Sequence, residues 1–234
     1  MNYINKGELI MNLFLTSVAD GNTLKKINAL KNQINGKTKL VILPFAHDSK
    51  WLSCAEDVWE KYDRCPKATN SIFHRTVKPF TDIGIDVRNI IVINHFADPI
   101  ELIKHKLLAD NTIVFLPGGR PENIMKILKR FRLVNTIKQC KIVVGESAGA
   151  MIWSKHFFVY PDQDYSKYAC YKGLGLTKNC VVLPHYVCGS SHIARCCRRF
   201  SWLHRDRICL VQDGGWIHYN TDKNRYMCYK TIKY

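Results

Sequence analysis

The sequence predicts an α/β fold with three layers, in which helices cover both faces of a mostly parallel sheet. Short runs rich in β-branched residues alternate along the 234 residues with stretches of helical periodicity. Runs such as 112–117 and 141–145 are apolar throughout, which is typical of parallel strands buried on both faces. No repeat, low-complexity tract or Pro/Ser-rich linker interrupts this pattern, so we expect one domain spanning residues 1–234.

Strands and helices are assigned from periodicity, β-branched content and breaker residues. The predicted strands span residues 10–16, 39–44, 89–94, 112–117, 141–145, 180–184, 208–212, 216–219 and 226–232. The predicted helices span residues 23–33, 50–62, 68–83, 99–108, 121–135, 148–155 and 192–204. In open α/β sheets, sites form at the carboxyl ends of the strands. Residues that directly follow a predicted strand are therefore the first candidates for a functional site.

The chain is strongly basic, with a formal net charge of +16. A basic surface attracts anions, including nucleic acid and acidic substrates. Lysine and arginine are nevertheless spread along the whole chain, and no recognised nucleic-acid-binding motif occurs. The nearest approach to a cluster consists of Arg195, Arg198, Arg199, Arg205 and Arg207. We therefore expect a solvated basic surface and no specific nucleic-acid partner.

No apolar run approaches the roughly 18 residues that a membrane-spanning helix needs. The apolar stretch at residues 9–15 is interrupted by Asn12 and lacks a small-residue cleavage site, so it is interpreted as a first core strand. We expect no membrane association and a cytoplasmic location.

The ten cysteines form no C-x-x-C pair. Reduced and mostly buried thiols are the expectation for such a protein. A metal site built from Cys188, Cys196 and Cys197 with His192 would have poor ligand spacing. We expect neither a metal ion nor an organic cofactor.

The segment from Lys141 to Ile152 has the pattern of a nucleophile elbow, in which a strand leads through a sharp turn with a serine into a helix. A β-branched run enters Gly145-Glu-Ser-Ala-Gly149, and an apolar, alanine-containing stretch follows. The flanking residues are small because strand and helix approach closely and the serine backbone is strained. Ser147 is therefore the candidate nucleophile.

A serine nucleophile needs a histidine base, and the base needs a carboxylate that orients it. His156 is close in sequence, but nine residues of continuous helix would place it roughly 13 Å along the axis. His185 directly follows the apolar run 180–184 and is the better candidate. The weaker candidates are His192, His204 and His218.

Asp213 is the first candidate for the orienting carboxylate, because it follows the apolar run 208–212 and precedes a glycine pair. Asp162 and Asp164 lie in the loop after the predicted elbow helix and remain the alternatives. Aspartate also forms turns and caps helices, so position alone does not decide among the three.

The oxyanion hole of such a site uses the backbone N–H of the residue after the nucleophile, here Ala148. A second donor is expected from Gly118 or Gly119, which follow the strand 112–117 and precede Pro121 at a predicted helix start. Glycine allows the backbone to approach a reacting group closely.

Three motifs together carry a family resemblance: Leu-Pro-Gly-Gly at 116–119, Gly-Glu-Ser-Ala-Gly-Ala-Met-Ile at 145–152, and Leu-Pro-His-Tyr at 183–186. They resemble the aspartyl dipeptidase (peptidase E) and cyanophycinase group of serine hydrolases. The segment 161–176 further resembles a bacterial branch described as type 1 glutamine amidotransferase-like. The resemblance runs from the first strand to Gly215; it is strong around Ser147 and weak before about residue 111.

The resemblance implies a flavodoxin-like fold akin to the class I glutamine amidotransferase domain, and a Ser-His-acid triad in the chain order Ser147, His185, Asp213. The family commonly has glutamate where this chain has Asp213. Glutamine amidotransferases of this fold use cysteine at the elbow, so with Ser147 at this position we do not expect transfer of glutamine-derived ammonia.

Arg120 stands where the dipeptidase usually has asparagine, and a fixed cation there would suit a substrate carboxylate. Glu146 and Tyr186, which adjoin the candidate serine and histidine, are further candidate substrate contacts. The expected function is hydrolysis of small peptides, Asp-containing ones among them, through an acyl-enzyme. The alternative is a catalytically silent homologue that binds a ligand or regulates. Either a monomer or a homodimer is compatible with the sequence.

Overall fold

The computed structural model describes residues 10–47, 52–62, 72–178 and 180–233. The first residues of the predicted helices 50–62 and 68–83 lie outside the described residues, as do Leu9 and Cys65.

The centre of the fold is an eight-stranded sheet with the order β10-β9-β1-β5-β4-β2-β3, with β8 paired to β9. The strands are β1 (Asn12–Thr16), β2 (Lys39–Ile42), β3 (Ile90–Val92), β4 (Thr112–Leu116), β5 (Ile142–Glu146), β6 (His156–Val159), β7 (Ala169–Lys172), β8 (Cys180–Leu183), β9 (Arg207–Asn220) and β10 (Arg225–Lys233). The five strands from β3 to β1 run parallel, and β9 pairs antiparallel with β1 and β10 but parallel with β8. The prediction of a mostly parallel sheet is confirmed.

Helices cover both faces of the sheet. They are α1 (Gly21–Lys25), α2 (Asn28–Lys31), α3 (Ala55–Tyr62), α4 (Ile72–Thr81), α5 (Ile100–Leu108), α6 (Pro121–Arg130), α7 (Val134–Ile137), α8 (Ala148–Met151) and α9 (Ser191–His204), with a 3-10 turn at Val87–Asn89. Alternate residues of a strand enter opposite cores: Leu13 and Leu15 pack in one cluster, while Phe14 packs in the other. The layered α/β prediction is therefore confirmed.

The predicted helix 148–155 is wrong beyond Met151. Helix α8 stops there because a later segment takes the backbone acceptors: Leu174 N–H donates to Ile152 O (2.7 Å) and Leu176 N–H donates to Trp153 O (2.8 Å). Strand β6 then begins at His156 and forms a separate two-stranded sheet with β7. Neither strand is predicted from the sequence.

Three further boundaries differ from the prediction. The predicted helix 121–135 is divided because Arg132 adopts a left-handed conformation (φ 54°) that ends α6. The predicted helix 23–33 is also divided, into α1 and α2. The predicted strands 208–212 and 216–219 form one continuous strand, β9, whose first part pairs with β8 and whose second part pairs with β1.

The sheet brings several candidate residues to one edge. Gly118 follows β4 and Ser147 follows β5, which are adjacent parallel strands. Residues that follow β1 and β8 reach the same edge, as does the middle of β9. Within the described residues, no helix is long and apolar enough to cross a membrane.

Candidate active site

Ser147 occupies a strained turn between β5 and α8. Its backbone angles are φ 47° and ψ −111°, a region that residues with a side chain rarely adopt. The Ser147 N–H donates to Thr16 O at 3.0 Å, which fastens the turn to the end of β1. A Cβ atom on Gly149 would lie 2.1 Å from Leu116 O, so only glycine permits this approach of α8 to β4.

Ser147, His185 and Asp213 form a line of hydrogen-bonding side chains. Ser147 Oγ lies 3.0 Å from His185 Nε2, and His185 Nδ1 lies 2.8 Å from Asp213 Oδ1. The His185 side chain is 47% exposed and that of Asp213 is 66% exposed. The arrangement therefore combines a serine, an imidazole and a carboxylate in contact order, open to solvent.

Ser17, which directly follows β1, joins two members of this line. Its hydroxyl donates to Asp213 Oδ1 at 2.7 Å and accepts the His185 backbone N–H at 2.8 Å. It also lies 3.3 Å from His185 Nδ1, and the residue is fully buried. The sequence analysis missed Ser17; its position directly after a predicted strand was the one available signal.

The contacts of Asp213 favour its ionised form. Partial burial raises the pKa of this carboxyl group, but the hydrogen bonds from Ser17 and His185 and the charge of His185 outweigh that effect. The pKa of Asp213 is consequently below its ordinary value of 3.8. An ionised carboxylate is the form that orients a neighbouring histidine.

The two glycines after β4 differ in their contacts. Gly118 N–H donates to Glu146 Oε2 at 3.3 Å, while Ala19 N–H donates to Glu146 Oε1 at 3.1 Å. Glu146 thus ties the loops after β1 and β4 together beside Ser147. Gly119 has φ 135°, and a Cβ on it would lie 2.7 Å from Ala46 O, so glycine is required there.

Two cavities meet at Ser147 and His185. The first cavity, of about 440 Å³, lies over the ends of β2, β4 and β5, and His47, Arg75, Arg120 and Glu146 are among its lining residues. The second cavity, of about 170 Å³, is lined from α8, β6, β8 and the loop after β6. Both cavities are lined by Gly119, Ser147, Asp164 and His185. A ligand spanning both would pass Ser147.

Arg120 lines the first cavity but is also bound to the loop after β6. Its guanidinium donates to Asp164 O at 3.2 Å, lies 3.6 Å from Glu122 Oε1 and stands over the Tyr165 ring at 5.2 Å. Tyr165 in turn donates to Glu122 at 2.7 Å. The cation is therefore held in a fixed position at the cavity wall.

The remaining candidates are placed differently. Asp162 Oδ1 accepts the backbone N–H groups of Asp164 and Tyr165, so this carboxylate shapes its own loop. Tyr186 lines neither cavity and packs against the apolar cluster beneath α9.

Other histidines have partners elsewhere. His156 stacks on His204 with ring centroids 4.4 Å apart, and His218 Nε2 lies 3.0 Å from Asn12 Oδ1. His192 approaches Tyr160 edge-on, at 6.2 Å between ring centroids.

Cysteine side chains in the described part of the chain are free thiols. They include Cys180 and Cys209, whose buried sulfur atoms lie 3.0 Å apart without forming a disulfide. Among the described residues, no three His, Cys, Asp or Glu side chains are grouped as a metal site.

The fold is similar to those of two solved peptidase structures. The solved structure of a candidate peptidase E from Listeria monocytogenes EGD-e superimposes with a TM-score of 0.62 at 19% identity, covering 94% of this chain and 98% of that one. A peptidase from an acI-B1 Actinobacterium superimposes with a TM-score of 0.55 at 16% identity, covering 96% and 89%. At such identities the likeness shows a common fold. A comparison with curated proteins gave no match.

The sequence match is more specific than the structural one. The model of peptidase family S51 matches residues 13–227, a range that contains both cavities and every residue of the Ser147–His185–Asp213 line. The chain therefore belongs to peptidase family S51 and is a serine-type peptidase.

Proposed function

We propose that the protein hydrolyses small peptides through an acyl-enzyme, with Ser147 as nucleophile, His185 as general base and acid, and Asp213 as the orienting carboxylate. The observation that carries this proposal is the unbroken line of contacts from Ser147 Oγ to His185 (3.0 Å) and on to Asp213 (2.8 Å). Serine alone is a poor nucleophile at neutral pH, and this line supplies the base and its orienter.

In the first half-reaction, Ser147 Oγ attacks the peptide carbonyl carbon while its proton passes to His185 Nε2. Asp213 accepts the Nδ1 proton of His185 in a hydrogen bond and stabilises the imidazolium that forms. The C–N bond then breaks, and His185 gives its proton to the departing amine. The acyl group remains on Ser147 as an ester.

Water completes the cycle by the same route in the second half-reaction. His185 takes a proton from water, and the resulting hydroxide attacks the ester carbonyl. The bond between the acyl carbon and Ser147 Oγ breaks, and the proton on His185 returns to Ser147. The second product leaves as a carboxylic acid, and the enzyme regains its starting state.

The oxyanion formed in both half-reactions needs backbone donors. Ala148 N–H is at the first position of α8, where the helix itself does not use it. Gly119 is the better second donor, because Gly118 N–H is already bound to Glu146. Such donors contribute about 10²- to 10³-fold to the rate in serine hydrolases.

The first cavity supports a peptide with an acidic residue, such as aspartate, as the substrate. Arg75 and Arg120 line it, and the contacts of Arg120 hold its charge in a fixed position. A planar guanidinium suits a carboxylate because it can donate two parallel hydrogen bonds.

A fluorophosphonate probe tests the catalytic assignment, since it reacts covalently only with an activated serine. We expect the purified protein to be labelled and the Ser147→Ala and His185→Ala variants to remain unlabelled. His218→Ala serves as the matched control and should be labelled at the wild-type rate, because His218 lies beside Asn12 on the sheet. A folded wild type that resists the probe would instead favour a catalytically silent, ligand-binding protein.

A further inference from the structure

We propose that the second cavity is a subsite for one apolar side chain of the peptide and that it rejects acidic side chains. The proposal rests on the proposed function, because it places the scissile bond at Ser147. The residue on one side of the scissile bond lies in the first cavity. The side chain of the residue on the other side of that bond lies in the second cavity.

The position of the second cavity fits this role. The first cavity is built over β2, β4 and β5, whereas Met151 of α8, Phe158 of β6 and Leu183 of β8 line the second. Among the described residues, the two cavities share the lining residues Ser147, His185, Gly119 and Asp164. A short peptide whose carbonyl reaches Ser147 therefore has space for one side chain in each cavity.

Four apolar side chains, those of Met151, Phe158, Val159 and Leu183, contribute to the lining of the second cavity. Phe158 and Leu183 are at most 1% exposed, and Val159 and Met151 are nearly as buried. Tyr160 and Tyr165 add aromatic rings to the wall. An apolar side chain that enters this space loses water contact, and burial of a leucine-sized group favours binding by about tenfold or more.

The charges around the second cavity oppose an acidic side chain. Asp162 and Asp164 line it, and no lysine or arginine occurs among the described lining residues. This local excess of carboxylates contrasts with the +16 charge of the chain and with the first cavity, where Arg75 and Arg120 offset the carboxylates of Glu146 and Asp164. The carboxylate of Asp162 also acts on Tyr160: burial raises the pKa of Tyr160, and the charge of Asp162 raises it further.

The size of the second cavity limits it to a single side chain. Its volume of about 170 Å³ is below the roughly 300 Å³ at which sites for whole small molecules begin. The first cavity, at about 440 Å³, has room for a side chain together with a terminal group.

Calorimetric titration of dipeptides into the Ser147→Ala protein tests the subsite without depending on turnover. The dipeptides are Asp-Leu, Leu-Asp and Asp-Asp, so that both orders of the acidic and apolar residues are covered. We expect one of the two mixed dipeptides to bind about tenfold more tightly than Asp-Asp. Equal affinities for all three, or no binding by any, would overturn the subsite.

Two further substitutions, each combined with Ser147→Ala, separate the effect of charge on dipeptide binding from the effect of the shape of the second cavity. Asp162→Asn keeps the Oδ1 acceptor that Asp164 and Tyr165 use, and we expect it to improve Asp-Asp binding about threefold relative to the preferred mixed dipeptide. Met151→Ala enlarges the cavity and should favour phenylalanine over leucine at the apolar position.

Asp110→Asn is the matched control for the change of charge. It removes one carboxylate at the opposite end of the sheet, where Asp110 pairs with Lys141 at 3.0 Å, and it should leave the ratio of dipeptide affinities unchanged. If Asp162→Asn leaves that ratio unchanged as well, the proposed exclusion of acidic side chains is wrong. Failure of the proposed function gives a different result, namely absence of probe labelling in the wild type.

Discussion

Ser17 is the hydrogen-bonding centre of the candidate site. Its single hydroxyl serves Asp213 as donor and the His185 backbone as acceptor, at 2.7 and 2.8 Å. Asp213 itself is largely exposed, and an exposed carboxylate samples several rotamers unless a partner holds it. We infer that the buried hydroxyl keeps Asp213 directed at His185 Nδ1.

Replacing Ser17 by alanine should slow probe labelling of Ser147 about tenfold, because both Asp213 and the His185 N–H lose a partner. Since the Ser17 hydrogen bond lowers the pKa of Asp213, the substitution should also raise that pKa. The carboxyl group of Asp213 should therefore take up its proton at a higher pH in the variant, and the part of the labelling profile that follows this protonation should move with it. The measurement is the labelling rate across pH, with thermal unfolding as a check of the fold.

Ser154→Ala is the control for loss of a buried serine. Ser154 is also fully buried and donates to Cys180 O at 3.0 Å, but it lines neither cavity. Labelling by Ser154→Ala should match the wild type in rate and pH profile. If both alanine variants behave alike, Ser17 has only a structural role.

Replacing Asp213 by asparagine should lower the labelling rate by about 10³- to 10⁴-fold, because an amide cannot stabilise the imidazolium and can select the wrong tautomer. Asp164→Asn is the matched control and distinguishes the alternative acid, since Asp164 lines both cavities, as His185 does. Rates measured for both variants decide between the two carboxylates. A large loss in Asp164→Asn alone would reverse the assignment.

The proximity of Ser147, His185 and Asp213 could be anticipated because each follows an apolar run that reads as a strand, and strand ends share one edge of the sheet. The contribution of Ser17 could not be anticipated, because a single serine after a strand belongs to no motif with a characteristic spacing. Gly118 and Gly119 differ as donors because Gly118 N–H is bound to Glu146, 28 positions later in the chain. A contact over this distance in sequence leaves no local sequence pattern.

At the scale of elements, the junction of β5 and α8 depends on backbone packed against backbone. Gly149 lies against Leu116 O of β4, and a Cβ on Gly145 would come within 2.3 Å of Gly149 O. The main chain of three elements meets here without intervening side chains. The strained turn at Ser147 is thus held from two sides.

Gly149→Ala should destabilise the protein by about 3 kcal/mol or more, because the new methyl group would meet backbone that cannot move aside. Gly36→Ala is the control, since a Cβ there has nothing within 4 Å, and its unfolding free energy should stay within about 0.5 kcal/mol of the wild type. Urea unfolding of both variants makes the comparison. Wild-type stability of Gly149→Ala would show that α8 can shift away from β4.

Elements whose own sequence is distinctive, such as an apolar run bounded by breaker residues, were predicted. Elements whose ends are set by contacts with residues distant in sequence were not. Strands β4 and β5 were evident because they are apolar and bounded by breakers. Strand β6 was not predicted, although its apolar residues directly follow the predicted helix 148–155; the carbonyls that stop the helix early are taken by residues 174–176. The Asp-Gly-Gly sequence at 213–215 predicts a turn; in the structure it lies within β9, at an irregularity where the register with β10 shifts between Tyr229 and Thr231.

At the scale of the whole molecule, the candidate site exists only when the sheet is complete. Ser17 and Asp213 are 196 positions apart, and β9 must pair with both β1 and β8 to bring Asp213 beside His185. Local opening of β9 would separate the orienting carboxylate from the base. The organisation as one domain over residues 1–234 stays a prediction.

Acid stability of the whole fold should depend on His95, which lies just beyond the carboxyl end of β3. His95 is buried among Phe45, Phe96 and Phe131, and its Nδ1 has no hydrogen-bond partner among the described residues. Burial lowers the pKa of His95 from 6.5 to about 4, and the nearby charges of Arg130 and His47 contribute in the same direction.

The sign of the effect follows from the two protonation states. Between pH 6.5 and about 4, His95 takes up a proton in the unfolded chain but stays neutral in the folded one, so stability falls as the pH falls through this window. The loss amounts to about 3 kcal/mol at pH 4. His95→Phe removes the titrating group and keeps an aromatic ring in the cluster, so its unfolding free energy should depend less on pH over this window. Urea unfolding of both proteins at intervals from pH 7 to pH 4 measures the slopes, and an equally steep slope in His95→Phe would assign the acid sensitivity to other groups.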